Sequence, residues 1–236
     1  MTPPPKEVNG LLMLIAGPTG TGKTTLCRRL VAAHREVERI VTCTTRAKRE
    51  DEQHGVDYYF LSNAEFDEAL ANDEFLEWAQ VHTSRYGTKK SAVFNKLDRN
   101  VDLVVNVDVQ GARAYRQAFE GHSTMRGRLV AVFIMPPDME TIYDRLLTRG
   151  QDSKEQIERR MRTALYEVEQ WTQQDYCIVT GTKEEDYIRL ESIWRAEKCR
   201  VSRLRLAVAT ADSRLPFQEQ ASHAPGALIG STRSAA

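Results

Sequence analysis

Apolar and polar residues fall into blocks that alternate between strand and helix spacing. Leu11 through Ala16 is an unbroken apolar run, the pattern of a strand buried on both faces of a sheet. A Gly-rich turn follows, then a helical stretch over 23–33. Further strands are predicted over 39–44, 102–107 and 129–135; Pro136 and Pro137 stop the last of these. Asp138 is placed to cap a helix that runs to Arg149. After a polar break at 150–154, a charged helix is predicted over about 153–171, a strand over 176–179 and a final helix over 183–198. Strands alternating with helices predict an α/β fold with a doubly wound parallel sheet and right-handed crossovers.

Between 45 and 88 the character changes. Charges, short apolar pieces and the aromatics Tyr58, Tyr59, Phe60, Trp78 and Tyr86 alternate, with one short helix expected over 63–71. This reads as a small mixed α/β insert with its own sheet, set into a core of 10–44 and 89–206. Residues 1–9, with three consecutive prolines, are expected to be flexible. So is the tail at 207–236, rich in Ala, Ser, Gly and Pro and without any period.

Composition narrows the function classes. The 236 residues suffice for one sizeable domain, and 41% hydrophobic with 28% charged residues is an ordinary soluble balance. A formal net charge of +0 gives no reason to expect nucleic acid or an anionic membrane as partner. Leu11–Ala16 is the longest apolar run and far too short to span a bilayer. The N-terminus lacks the pattern of a signal peptide. Cys27, Cys43, Cys177 and Cys199 show no metal-ligand or C-x-x-C spacing, as expected of reduced thiols in a cytoplasmic protein. Monomer and homodimer both remain open.

The sharpest motif is Gly17-Pro18-Thr19-Gly20-Thr21-Gly22-Lys23-Thr24, which fits G-x-x-x-x-G-K-[ST]. Glycines let backbone amides approach a phosphate closely, and those amides together with the following helix N-terminus form an anion nest. Lys23 can reach the β- and γ-phosphates of ATP, and the Thr24 hydroxyl can ligate Mg2+. A buried-type strand before the loop and a helix after it supply the context the motif needs. Alone, it says only that a nucleoside triphosphate binds, with Thr25 completing the contact segment.

A second phosphate site has to come from the insert. Arg46 and Arg49 place two guanidiniums three residues apart in a loop after a strand, a spacing that can clamp one phosphate. Taken alone, such a pair is more often a solvated basic loop. In order along the chain, Gly17 to Thr25, Thr44-Thr45-Arg46 with Arg49, Gly55-Val-Asp-Tyr58-Tyr-Phe60, Phe75-Leu-Glu77-Trp78-Ala79, Tyr86-Gly87-Thr88 and Asp108-Val-Gln110-Gly111 together resemble the guanylate kinase family over roughly 10–200. The resemblance implies a P-loop NTPase-type fold that transfers the γ-phosphoryl group of ATP to GMP, with dGMP a further candidate acceptor. It implies that Arg46, Arg49, Tyr58 and Tyr86 hold the GMP phosphate, and that Glu77, Thr88, Asp108 and Thr42 meet the guanine. The chemistry agrees: a carboxylate can accept from guanine's N1–H and exocyclic amine together, whereas adenine has no N1–H. Periodicity alone leaves the direction of the Glu77 side chain open.

Phosphoryl transfer needs positioning and positive charge around the equatorial oxygens. Arg145 and Arg149 share a helical face, and Arg160 follows the polar break. By resemblance, 149–160 is a lid whose arginines, with Lys23, reach the ATP phosphates; by charge pattern alone, this is a solvated helix. The family has an acidic residue where Asn106 stands and an asparagine where Thr180 stands, which affect Mg2+ organisation and the adenine contact. Three rival readings compete with this one. A non-catalytic interaction module often loses the phosphate loop, which is intact here. A kinase of a phosphorylated sugar needs no guanine-reading group. A GTPase, which shares the phosphate loop, is the weakest of the three.

Overall fold

The apolar runs that spacing marks as strands lie side by side. In the computed structural model, which describes residues 6–81, 83–149 and 154–206, Glu7–Arg205 forms one unit. In chain order its core begins with β1 (Leu12–Ala16), α1 (Lys23–Ala33) and β2 (Val37–Arg39). The insert contributes β3 (Cys43–Thr44), β4 (Tyr59–Phe60), α2 (Asn63–Ala71), β5 (Phe75–Val81) and β6 (Ser84–Lys89). Then come α3 (Lys90–Leu97), β7 (Asp102–Asn106), α4 (Val109–Glu120) and β8 (Leu129–Met135). Next are α5 (Met139–Arg149), α6 (Lys154–Glu169), β9 (Tyr176–Val179) and α7 (Lys183–Lys198).

The main sheet has five parallel strands in the order β9-β8-β1-β7-β2. Strand alternation sorts β1 between two cores. Leu12, Leu14 and Ala16 pack with Val93 and Leu97 of α3 and Tyr115 and Phe119 of α4. Met13 and Ile15 pack with Leu26 and Leu30 of α1 and Leu190 and Trp194 of α7. Covered on both faces, β1 can be apolar at every position, and each such side chain contributes about 1.5–3 kcal/mol by burial. Connections from β1 and β7 leave toward opposite edges, so a topological switch point lies between these neighbours, at the carboxyl ends where open α/β sheets bind ligands.

One buried carboxylate ties these layers together. Asp102, 1% exposed, accepts from Leu11 N at 2.9 Å, Trp194 Nε1 at 2.9 Å and Lys198 Nζ at 2.7 Å. It thereby joins the start of β7 to α7 and to the entry of β1.

The insert carries a four-stranded sheet, β4-β3-β6-β5, parallel at β3–β4 and antiparallel elsewhere. Its own core is Cys43, Phe66, Ala69 and Phe75, with Phe66 stacked on Phe75 at 4.4 Å. Gly87 lets β6 pass beneath Phe75, since a Cβ there would lie 2.8 Å from the Phe75 ring. Ser62 and Glu65 form a capping box that starts α2.

The structure departs from the sequence pattern in a few places. The strand expected over 39–44 is divided between two sheets: Ile40 N makes the last bond to β7, at Val104 O, and Cys43–Thr44 then pairs with β4 and β6. The reason is burial. Val37 and Ile40 are drawn to the main core, and Cys43 to the insert core. Helices α3 and α4 go beyond the elements the pattern predicts, although α4 buries Val109, Ala112, Tyr115 and Phe119 along one stripe. Helix α6 stops at Glu169, short of the expected end near 171. Lys6–Val8 is a short strand, so regular structure begins ahead of residue 10. Residues 1–5 and 207–236, both expected to be flexible, lie outside the described residues, as do 150–153 of the expected lid.

Candidate active site

The loop between β1 and α1 is shaped by glycine. Gly17 has φ 132, and a Cβ on it would lie 2.5 Å from Ile134 O, so no other residue fits where the loop leaves the sheet. Gly22 caps α1 in the left-handed region, and no side chain caps this helix. Its first turn holds no acidic residue, which leaves the amides and the helix dipole for an anion. Lys23 spans the loop and donates to Gly17 O at 2.6 Å and Pro18 O at 2.8 Å. Thr21 is buried and donates to Pro18 O at 2.8 Å, which stiffens the turn. Pro18 and Thr19 complete it.

A cavity of about 470 Å³ opens beside this loop, walled by Gly20, Thr21, Gly22 and Thr25 on one side and by Arg145, Gly181 and Asp186 on the other. Arg145 reaches across from α5 and donates to Gly20 O at 3.0 Å. Asp186 accepts from Gly181 N at 2.8 Å, fixing the turn after β9. Thr180 does not line this cavity, and its buried hydroxyl has no hydrogen-bond partner among the described residues.

On the other side of the loop, a cavity of about 490 Å³ is lined by Lys23, Asn106, Asp108, Arg159, Arg160 and Glu167, among others. Asn106 Nδ2 donates to Thr24 Oγ1 at 3.1 Å. Glu167 is buried on α6, and burial pushes its carboxyl up to about 7, with Asp108 adding to the rise and Lys23 opposing it. Arg149 ends α5; its side chain lies outside the described residues.

A further cavity of about 540 Å³ lies between the insert and α4, lined by Thr42, Tyr58, Glu77, Tyr86 and Asp108 with their neighbours. Asn106, Val107 and Asp108 line both this cavity and the previous one, so the two meet at the carboxyl end of β7. The Glu77 carboxyl is half-buried, and desolvation raises its pKa; Thr88 lowers it and Asp108 raises it further. Asp108 accepts from Gly111 N at 2.7 Å and so caps α4, leaving its other oxygen to the cavity.

Thr88 stands differently from expectation. It is 0% exposed and lies behind Glu77, not on the cavity wall. Its hydroxyl donates to Glu77 Oε1 at 2.8 Å and accepts from Tyr115 Oη at 2.8 Å. A hydroxyl has one proton, and here it is directed to Glu77. The contact fixes the position of the Glu77 carboxyl.

The arginines of the insert are only partly drawn together. Arg46 lies 5.6 Å from the Tyr58 ring centroid and pairs with Glu52 Oε1 at 2.6 Å. That pairing holds the Glu52 carboxyl below its usual range. Tyr58 and Tyr86 meet edge to face at 6.0 Å. Arg49 is exposed; its backbone N–H donates to Glu52 Oε2 at 2.9 Å, so Glu52 bridges both arginines.

The sequence reading missed Arg159, Glu167 and Tyr115. For Glu167 a signal existed: Ile157, Ala164 and Glu167 share the buried face of α6, an unusual place for a carboxylate. Tyr115 gave none, since an aromatic on the α4 stripe reads as core.

Known proteins resemble this chain over most of its length. The profile of the family described as guanylate kinase matches residues 10–197. A guanylate kinase of Clostridium perfringens is 37% identical over 201 residues, covering 85% of this chain and 89% of its own. One of Geobacter sulfurreducens is 38% identical over 200 residues, covering 85% and 95%. The crystal structure of guanylate kinase from Anaplasma phagocytophilum superposes with a TM-score of 0.66 at 29% identity, covering 84% of this chain and 91% of that one. With a phosphate loop opening onto paired cavities, a P-loop NTPase-type sheet beneath them and this breadth of match, the chain belongs to the guanylate kinase family.

Proposed function

We propose that this protein transfers the γ-phosphoryl group of ATP to GMP, giving ADP and GDP. The observation that carries the reading is the meeting of two cavities at Asn106–Asp108, one fronted by the phosphate loop and the other by Glu77. A donor phosphate in the first and an acceptor phosphate in the second would face each other at the end of β7.

The chain's own groups account for each requirement. Backbone amides of 17–25 and the α1 N-terminus cradle the ATP phosphates, with Lys23 against the transferred group. Arg145, already against the loop at Gly20, and Arg160, on the wall of the transfer cavity, spread positive charge over the equatorial oxygens. Arg149, at the end of α5, is assigned the same role by family resemblance. Tyr58, Tyr86, Arg46 and Arg49 bind the GMP phosphate. Glu77 accepts from the two guanine donors, Thr88 holds that carboxylate in place, and Thr42 and Asp108 complete the base site. No general base is required, because the acceptor phosphate oxygen is already anionic.

Mg2+ fits this site. Thr24 and Asn106 hydrogen-bond at 3.1 Å, which leaves the Asn106 carbonyl oxygen for a metal-bound water, while no cluster of three acidic or imidazole ligands exists among the described residues to hold a metal apart from ATP. Bound with ATP, the ion would neutralise the β- and γ-oxygens. The substrates are small and soluble; no described helix is long and apolar enough to cross a membrane. We place the protein in the cytoplasm, as a monomer or homodimer without nucleic acid.

The test is ADP release with ATP and Mg2+, comparing GMP, dGMP, AMP, UMP and ribose phosphates as acceptors. Strong preference for GMP is expected. Equal turnover with AMP, or none with GMP, overturns the proposal.

A further inference from the structure

We propose that Tyr115 is a specificity-determining positioning residue: through Thr88 it holds Glu77 as a double acceptor, so the site takes a 6-oxo-2-aminopurine and rejects a 6-aminopurine. This rests on the assignment of Glu77 to the base site above.

The case is one of proton counting. Tyr115 is fully buried, and its hydroxyl has one partner among the described residues, Thr88 Oγ1 at 2.8 Å. A buried hydroxyl proton without an acceptor is costly, so Tyr115 donates. The Thr88 oxygen faces that donor, and its single proton goes to Glu77 Oε1 at 2.8 Å. Protonation at Oε1 would strand one proton in the row, and protonation at Oε2 would turn the charge-assisted bond from Thr88 into a weaker neutral one. A donor held on Oε1 binds the ionised carboxylate more strongly than the neutral acid, and the bond from Tyr115 strengthens that donor.

The polarity matters because the surroundings push the other way. Burial and the nearby Asp108, at the N-terminus of α4, both favour protonated Glu77. Tyr58 and Tyr86 line the rest of the cavity, and Arg46 stands against them from the Thr44–Arg49 loop. Ionised, Glu77 offers two acceptors, matched to the N1–H and 2-amine of guanine. Protonated, it offers one donor and one acceptor, matched to N1 and the 6-amine of adenine. Weakening the row relaxes discrimination between the two purines.

The experiment measures kcat/KM for GMP and for AMP from pH 5 to 8 with the full chain and its Tyr115→Phe variant, which keeps the ring and removes the hydroxyl. The GMP-to-AMP ratio near pH 6 should fall about tenfold, and the acidic limb of the GMP profile should move up by about one unit. The KM for ATP should stay within twofold. Thr88→Val should produce the same change, Thr88→Ser should retain wild-type behaviour, and Tyr115→Phe should add nothing in the Thr88→Val background. A Tyr115→Phe variant whose ratio and acidic limb stay within twofold of wild type overturns the inference, as does one that lowers only thermal stability. Failure of the underlying reading looks different: the unaltered protein would show no preference for GMP, or Glu77→Gln would leave it unchanged.

Discussion

Glu77→Gln tests the base site with the least disturbance of shape. In the structure Glu77 Oε1 already accepts from Thr88, so a bound guanine has Oε2 and the remaining lone pair of Oε1 to work with. Glutamine replaces one oxygen with an amine of similar size. If its carbonyl faces guanine, the amine confronts the Thr88 hydroxyl donor; if it flips, the amine confronts a guanine donor. Either way one charge-assisted hydrogen bond, worth about 1.5–3 kcal/mol, is lost, and one half-buried donor is left facing another. The loss comes to about 3 kcal/mol, or roughly 100-fold. Because the cavity is open to solvent on one side, about tenfold is the lower bound. Steady-state rates with GMP varied at saturating ATP, then with ATP varied, give the two readouts. The expected result is kcat/KM for GMP down by that factor with KM for ATP unchanged. A fall of less than threefold, or an equal loss for ATP, would refute the reasoning.

Two other expectations concern the scaffold. Asp102→Ala removes the acceptor shared by Leu11, Trp194 and Lys198, leaving buried donors without a partner, and should cost about 3–5 kcal/mol in a urea titration. A loss below 1 kcal/mol would show that water replaces the carboxylate there. Glu167 has its folded pKa raised from 4.5 to about 7, so its contribution to stability is fully present below pH 4.5 and is lost as pH rises through about 7. Glu167→Gln should therefore flatten the decline in stability between pH 5 and 8, a difference on the order of 3 kcal/mol at pH 8. Parallel curves for variant and wild type would refute the burial argument.

How much of this could be read in the chain depends on whether the signal is local. The phosphate loop is legible because its glycines, lysine and threonine act through backbone conformation and adjacent atoms, and the strand that precedes it is apolar at every position. The strand over 39–44 was not legible as two pieces. Ile40 and Cys43 are equally apolar and are assigned to different cores only by long-range pairing with Val104 and Gly87. Position 88 shows the same limit at the site. A threonine beside Glu77 suggests a direct contact with the proposed base, and the approach of Tyr115, 27 residues further on, accompanies a hydroxyl turned inward to Glu77.

On the proposed reading, Thr88 and Tyr115 offset the burial that disfavours an ionised Glu77. An isolated half-buried glutamate would drift toward protonation and lose its distinction between purines. Here the cost is met by hydrogen bonds drawn from a core helix, in a position where Tyr115 also fills space between β1 and α4. Packing and recognition therefore share one residue. A substitution at Tyr115 that preserves volume separates them, because the ring sustains the core while the hydroxyl alone sustains the polarity of Glu77.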